Sequence, residues 1–136
     1  MGNKQYKIIE KINQLSKDIA KQKKNFELIY ERGKLKSEIK NFHGALDDFK
    51  FYITKNPNSN VFDQIAITLY NIGHQKNDHS KFYEALENIN TAISIKPESD
   101  YFLHRSQINL QLNNDEEALD DITEYIKLNP KDPQRI

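Results

Sequence analysis

Three segments of the chain repeat one pattern without gaps, at residues 44–57, 84–97 and 117–130. Each contains an Ala-Leu pair and ends in a Pro that lies twelve residues after the Ala, as in Ala45 and Pro57. Apolar residues recur at i, i+4, i+7 and i+8 after the Ala, which is the spacing of one helix face. The Pro ends each helix because the residue before it is pushed out of the α region. The spacing therefore predicts three equivalent helices.

A second helical pattern precedes each of these segments. A small residue lies twelve positions before the Ala each time: Gly33, Gly73 and Ser106. Small residues at matching places on consecutive helices allow the two axes to come close, whereas a bulky side chain would separate them. Polar turns lie between the helices at 40–41, 78–81 and 113–115. The repeating unit is therefore predicted to be helix–turn–helix.

This unit resembles the tetratricopeptide repeat (TPR). In that family's consensus, positions 4, 7, 8, 20, 24, 27 and 32 are large, apolar, small, Ala, large apolar, small and Pro. Two positions depart from it, because Arg32 and Arg105 replace the apolar residue and Tyr52 and Tyr125 replace the second small one. The matching residues are Ile29, Arg32, Gly33, Ala45, Phe49, Tyr52 and Pro57; Leu69, Ile72, Gly73, Ala85, Ile89, Ala92 and Pro97; and Phe102, Arg105, Ser106, Ala118, Ile122, Tyr125 and Pro130.

The resemblance implies an all-α fold, a right-handed solenoid of three TPR units behind an N-terminal helix. Its predicted boundaries are 1–25 for an amphipathic capping helix, 26–59 for TPR 1, 60–98 for TPR 2, 99–132 for TPR 3 and 133–136 for a tail. The second unit is longer than the third, and we expect two extra turns on its first helix, beginning near Ser59-Asn60. The alternative is a disordered loop, which would leave Phe62 and Ile65 in solvent.

The two ends of the chain differ in charge. Residues 1–25 carry seven Lys against two acids, a net charge of +5, whereas residues 99–136 carry −4 and the whole chain carries zero. Because a repeat contacts only its neighbours, arrays need caps. The first helix, with Ile8, Ile12, Leu15 and Ile19 on one side, is either such a cap or a free arm for a partner or an anionic lipid surface.

The last helix raises a related question. The segment that follows it, 131–134, has the pattern of another helix start. Either the chain is part of a longer array, or it self-associates through the outer face of this helix, where we place Leu119, Ile122 and Ile126.

The TPR resemblance also implies a groove lined by the first helix of each unit, which takes a peptide. Tyr30, Tyr70 and Leu103 would form its apolar row, either as anchors for a partner or as packing within the unit. A carboxylate clamp is not expected, because only Lys34 and Asn71 offer donors and Asp100 would repel a carboxylate. The groove residues are Glu27, Tyr30, Lys34, Ser37, Ile67, Tyr70, His74, Asn77, Asp100, Leu103, Gln107 and Leu110.

Composition argues against catalysis. The chain has no Cys and only four Gly, so thiol chemistry, Cys-based metal sites and a glycine-rich phosphate loop are excluded. The adjacent acids Asp47-Asp48 and Asp120-Asp121 point apart along a helix, which is typical of a solvated face. The cluster His74, Asp78 and His79 is not expected to hold a metal. We therefore predict no enzyme activity, no catalytic or metal-binding residues, no cofactor and no nucleic-acid partner.

These observations favour a cytoplasmic, non-catalytic adaptor or scaffold that binds a peptide or protein partner in its groove. The first alternative is a structural subunit that forms homo-oligomers through the last repeat or the N-terminal helix. The second is a basic helix that binds an anionic surface; no membrane-spanning or secretory segment is expected.

Overall fold

The structure is a computed structural model that describes residues 2–130, and every element in that range is an α-helix. The predictions for residues 131–132 and for the tail at 133–136 lie outside this range. The helices are α1 (Gly2–Lys21), α2 (Glu27–Glu38), α3 (Phe42–Lys55), α4 (Ser59–Lys76), α5 (His79–Ile95), α6 (Ser99–Gln111) and α7 (Asp115–Leu128). The predicted all-α architecture of paired helices is confirmed.

The helices form two compact units, which divide after Pro57. In the first unit α1 packs on α2, and α2 packs on α3. In the second unit α4 pairs with α5, α5 contacts α6, and α6 pairs with α7. Each first helix of a predicted repeat therefore lies against its second helix.

Small residues occupy the closest approach between paired helices. Ala45 and Ala85 are fully buried, and Ala118 is almost so. A Cβ added to Gly33 would lie 2.7 Å from Cε1 of Phe49, and one added to Gly73 would lie 2.9 Å from Cε1 of Phe82. These distances leave no room for a side chain, as the repeat pattern predicts.

The turns between paired helices each hold one residue in the left-handed region. Lys40, Asn77 and Asn113 have φ values of 64°, 51° and 61°. Such a residue commonly ends a helix, and a polar side chain tolerates it best. The second turn is shorter than predicted: α5 begins at His79, because the Asp78 side chain accepts a hydrogen bond from the Ser80 N–H. The Ser80 hydroxyl donates to the same carboxylate oxygen, and this bond, followed by the one from the N–H, lowers the pKa of Asp78 because both stabilise the carboxylate.

One other helix end differs from the prediction, whereas the start of α4 at Ser59 lies where it was expected. The first helix ends at Lys21, soon after Ile19, the last residue of its apolar stripe, and not at residue 25 as predicted. The long helix α4 has 18 residues and is capped by Asn58, whose side chain accepts a hydrogen bond from the Val61 N–H. Val61 and Ile65 are buried in its added turns, while Phe62 is only half-buried. The added turns therefore contribute to the core of the second unit.

Candidate partner-binding surface

Two arginine–aspartate pairs join the helices of the first and third repeats. Arg32 on α2 makes two hydrogen bonds to Asp48 on α3, at 2.9 and 2.7 Å, and Arg105 on α6 makes the same pair to Asp121 on α7, at 3.0 and 2.7 Å. The hydrogen bond to Asp48 raises the pKa of Arg32 above its ordinary value. Bidentate pairs of this kind fix the angle between two helices as well as their separation.

These pairs correct the expectation of a solvated acidic face. Asp48 and Asp121 are each 4% exposed, whereas their neighbours Asp47 and Asp120 are exposed. Asp48 also forms an ion pair with Lys36, at 3.3 Å. The signal was in the sequence: Arg and Asp occur together, sixteen residues apart, in repeats 1 and 3, and both are replaced in repeat 2.

Each arginine also reaches the helix that precedes its repeat. Nη1 of Arg32 donates to Oγ of Ser16 on α1 at 3.1 Å, and Nη1 of Arg105 donates to Oδ1 of Asn90 on α5 at 2.9 Å. The first helix, α1, therefore packs on α2 with the same side-chain contact that α5 makes to α6. A cleft of about 540 Å³ lies between α1 and α2, with Leu15 and Leu35 among its lining residues.

Three of the groove residues predicted in the first unit, Glu27, Tyr30 and Lys34, take part in a cluster of contacts around the Tyr30 and Tyr52 rings. The Tyr30 ring stacks on Tyr52, with centroids 5.1 Å apart, and Nζ of Lys34 lies 4.7 Å from the Tyr30 centroid. The Tyr52 hydroxyl donates to Glu27 and accepts from Asn56. Burial, followed by the bond to Glu27, raises the pKa of Tyr52. Tyr30 and Glu27 therefore contribute to the packing of α2 on α3.

The groove residues predicted in the second unit meet at a cavity of about 190 Å³ between α4 and α6. Ile67, Tyr70 and Gln107 were predicted to lie there; the full lining is Ile67, Tyr70, Asn71, His104, Gln107 and Ile108. The Tyr70 ring is held from behind by His74, at 4.7 Å between centroids, and by Phe82, at 5.7 Å. The Tyr70 part of the cavity wall is thus held in place by its packing against His74 and Phe82.

The other predicted groove residues of this unit do not line the cavity. Asn77 is the left-handed residue that ends α4, and its N–H donates to the Gly73 carbonyl. Asp100 is exposed in the first turn of α6, and Leu103 is half-buried. These three residues lie outside the cavity lining, and their place in a groove stays a prediction.

His104, one of the lining residues, belongs to a polar pair that the sequence pattern did not indicate. Nδ1 of His104 lies 2.7 Å from Oδ1 of Asp63, whose side chain is almost fully buried. A carboxylate only accepts hydrogen bonds, so Nδ1 carries the proton and Nε2 is left for other partners. Asp63 lies in the added turns of α4, outside the repeat consensus, which is why no repeat position pointed to it.

Other site chemistry is limited in the part of the chain that the structure describes. Within residues 2–130, no group of three His, Asp or Glu side chains is arranged to hold a metal ion. In the same range, no helix is both long enough and apolar enough to span a membrane.

Comparison with known proteins supports the fold through structure alone. No protein-family model matches the chain, and no curated protein matches it in sequence. Among solved structures, MamA residues 41-end from Desulfovibrio magneticus RS-1 matches 90% of this chain at 15% identity with a TM-score of 0.79. MamA from AMB-1 matches 89% at 20% identity, with a TM-score of 0.75. This chain spans 66% and 63% of those two MamA chains.

A third structure is the second TPR domain of Spaghetti (RPAP3), solved with the HSP90 peptide SRMEEVD. It matches 82% of this chain and 98% of its own length, at 18% identity and a TM-score of 0.68. The same helical arrangement therefore recurs in proteins of very different sequence. Together with the three repeats in register, these likenesses show that the chain has the tetratricopeptide-repeat fold.

Proposed function

We propose that the chain is a non-catalytic protein-interaction module that holds an extended peptide segment of a protein partner at the cavity between α4 and α6. The observation that carries this proposal is the cavity itself, where predicted groove residues from two first helices meet. Its apolar wall is formed by Ile67, Tyr70 and Ile108, with polar groups from Asn71, His104 and Gln107 beside them.

The size of the cavity favours a single side chain of a larger partner. At about 190 Å³ it is smaller than the roughly 300–1,000 Å³ of sites that enclose a small-molecule ligand. An aliphatic side chain of a peptide would fill it, and the rest of the peptide would extend over the surface. The packed Tyr70 ring provides a rigid anchor of the kind that dominates binding energy in interfaces.

The polar groups suit the backbone of such a peptide. The amides of Asn71 and Gln107 can both donate and accept, and Nε2 of His104 adds a further hydrogen-bonding atom. An extended segment presents N–H and C=O groups alternately on either side of a bound side chain. The cavity would therefore recognise an aliphatic residue together with its neighbouring peptide groups.

The RPAP3 domain supports the proposal as an example of this fold with a bound peptide. The peptide preferred by this chain follows from its own residues. Asp100 is exposed on α6 and opposes a carboxylate, so we propose an internal segment of the partner rather than an acidic C-terminus. Calorimetry with an acidic C-terminal peptide and its amidated form tests this point, and tight binding that depends on the free carboxylate would contradict it.

Peptide selection followed by matched variants tests the proposal directly. Random peptides displayed on phage are selected on the whole chain, and the affinity of the best peptide is then measured by calorimetry. Ile67→Asp, which adds a charge to the cavity wall, is expected to weaken binding at least tenfold, about 1.4 kcal/mol. Tyr83→Asp, a change at an exposed tyrosine on α5, is the control and should bind like the parent chain. Equal affinity of the two variants would overturn the proposal.

A further inference from the structure

The last described helix, α7, carries an apolar stripe whose counterpart in the middle repeat is covered. Leu119 follows Ala118 as Leu86 follows Ala85, and both lead a stripe along the second helix of their repeat. Leu86 is half-buried where α5 packs on α6, whereas Leu119 is 66% exposed. Ile122 and Ile126, on the same stripe, are half-buried. This face of α7 is thus shaped like one that a helix covers elsewhere in the same unit.

Acidic side chains surround this stripe. Asp121 is paired with Arg105, so it adds no free charge to the surface. The negative charge of the other acids is balanced within α7 by Lys127 alone. These acids are Asp115, Glu116, Glu117, Asp120 and Glu124. A partner helix for this stripe would therefore be basic.

The first helix, α1, has the complementary character. One of its faces packs on α2, and the rest is exposed. On the exposed part lie two large apolar side chains, Tyr6, which is 60% accessible, and Ile9, which is 41% accessible. Exposed lysines accompany them; these are Lys4, Lys7, Lys11, Lys17 and Lys21.

We infer that α7 of one copy of the chain packs on α1 of a second copy, in a head-to-tail contact. The exposed leucine of α7 would meet the exposed Tyr6 and Ile9, and its acids would meet the lysines of α1. Pairing of α7 with α7, or of α1 with α1, would instead bring like charges together, which is unfavourable. Charge complementarity therefore selects the heterologous contact, which joins different surfaces of two copies.

The contact is expected to be weak and sensitive to salt. A single pair of helices buries less than the roughly 1,200–2,000 Å² of a standard stable interface. Its charges are exposed, so they are screened at an ionic strength of about 1 M. This inference goes beyond the proposed peptide-binding function, and it uses none of the residues that line the cavity between α4 and α6.

Sedimentation equilibrium of the whole chain tests whether the contact forms. We expect association to increase with concentration between about 10 µM and about 1 mM, and to be lost on going from low salt to about 1 M salt. A chain that stays monomeric at the highest concentration in low salt would overturn the inference.

A mixing experiment tests which surfaces meet. Leu119→Asp blocks α7, and the double variant Tyr6→Asp/Ile9→Asp blocks α1. Each should be monomeric alone, but an equal mixture should form a one-to-one dimer, because one intact α7 and one intact α1 remain. The inference fails if the mixture stays monomeric, or if either variant alone associates as strongly as the parent chain.

Control variants separate the contact from folding and from peptide binding. Tyr83→Asp alters a tyrosine that is as exposed as Tyr6, at 60%, and should associate like the parent chain. Far-ultraviolet circular dichroism should be the same for all variants, since each substituted side chain is substantially exposed. The Leu119→Asp variant should keep full affinity for a peptide selected on the parent chain, so failure of either proposal can be recognised separately.

Discussion

At the scale of single residues, the closest helix contacts depend on the absence of one carbon atom. Gly33 faces the fully buried ring of Phe49, and Asp48 Cβ lies 3.1 Å from where an alanine methyl would be. Gly33→Ala should therefore lower the free energy of unfolding by about 1–3 kcal/mol, through overpacking. This would occur although alanine favours helix by roughly 0.5–1 kcal/mol. Urea denaturation measures the change.

Ser106 provides the matched control, because it holds the same repeat position in the third repeat. It already has a Cβ and is buried, with its hydroxyl donating to the Leu103 carbonyl within its own helix. Ser106→Ala should therefore change the free energy of unfolding by less than about 1 kcal/mol. A smaller loss for Gly33→Ala than for Ser106→Ala would contradict the proposed cause.

Two buried tyrosines should make stability fall in alkaline solution. Burial raises the pKa of Tyr52 and of Tyr101, and each hydroxyl also donates to a glutamate. A folded pKa above the unfolded value of about 10 means that the stabilisation is complete below pH 10 and is lost as the pH rises through the folded pKa. The thermal midpoint should fall over this range, and less steeply in Tyr52→Phe.

The control for this prediction is an exposed tyrosine. Tyr83→Phe should leave the slope of the thermal midpoint against pH unchanged. The Tyr83 side chain is exposed in the folded chain, so folding changes its contact with water little. Parallel curves for the parent chain and Tyr52→Phe would show that Tyr52 ionisation does not matter for folding.

At the scale of helices, the arginine–aspartate pairs fasten one helix of a repeat to the other. Asp121→Asn would keep the shape of the side chain but remove the charge that accepts both Arg105 bonds. We expect the free energy of unfolding to fall by about 1.5–3 kcal/mol, the range for hydrogen bonds to charged groups. Asp120→Asn, a change at the exposed neighbouring residue, should alter it by less than about 0.5 kcal/mol. Equal effects of Asp121→Asn and Asp120→Asn would show that the pair of Arg105 and Asp121 does not provide this stabilisation.

Helix positions could be predicted from the sequence because Ala, Gly and Pro recur at fixed separations. The helix ends were harder, since they depend on single side-chain bonds: Asn58 rather than Ser59 caps α4, and Asp78 moves the start of α5 forward. The arginines looked like departures from the repeat because their role depends on an aspartate sixteen residues away. Single positions could not reveal this pairing, although its recurrence in two repeats could have done so.

At the scale of the molecule, burial is concentrated in the second unit. Ile65, Leu69 and Ile72 on α4 and Ile89 on α5 are completely buried, whereas only Ala118 and Asp121 of α7 are buried. Hydrogen exchange should therefore be slowest in α4 and α5, and fastest in α1 and α7, because local opening costs least where few apolar contacts are lost. Mass spectrometry of exchanged peptides measures this order. Protection of α7 equal to that of α4 would contradict it.

The placement of the predicted groove residues could be derived from the repeat only in part. Ile67, Tyr70 and Gln107, at three of the predicted groove positions, line one cavity, because those positions repeat with the helices. Tyr30, at another predicted groove position, is half-buried and stacks on Tyr52 within its own unit, so its role as an anchor for a partner stays a prediction. Whether a side chain packs or remains available is decided by its neighbours in three dimensions, and these depend on unrepeated residues such as Asp63.

The relation of α1 to α2 has a consequence for protein engineering. Because Ser16 contacts Arg32 as Asn90 contacts Arg105, α1 packs on α2 in the register of the second helix of a repeat. The cleft that Leu15 and Leu35 line is where a first helix paired with α1 would pack. A designed helix grafted in front of α1 and fitted to this cleft would convert the chain into a longer array, with the junction already built into its surface.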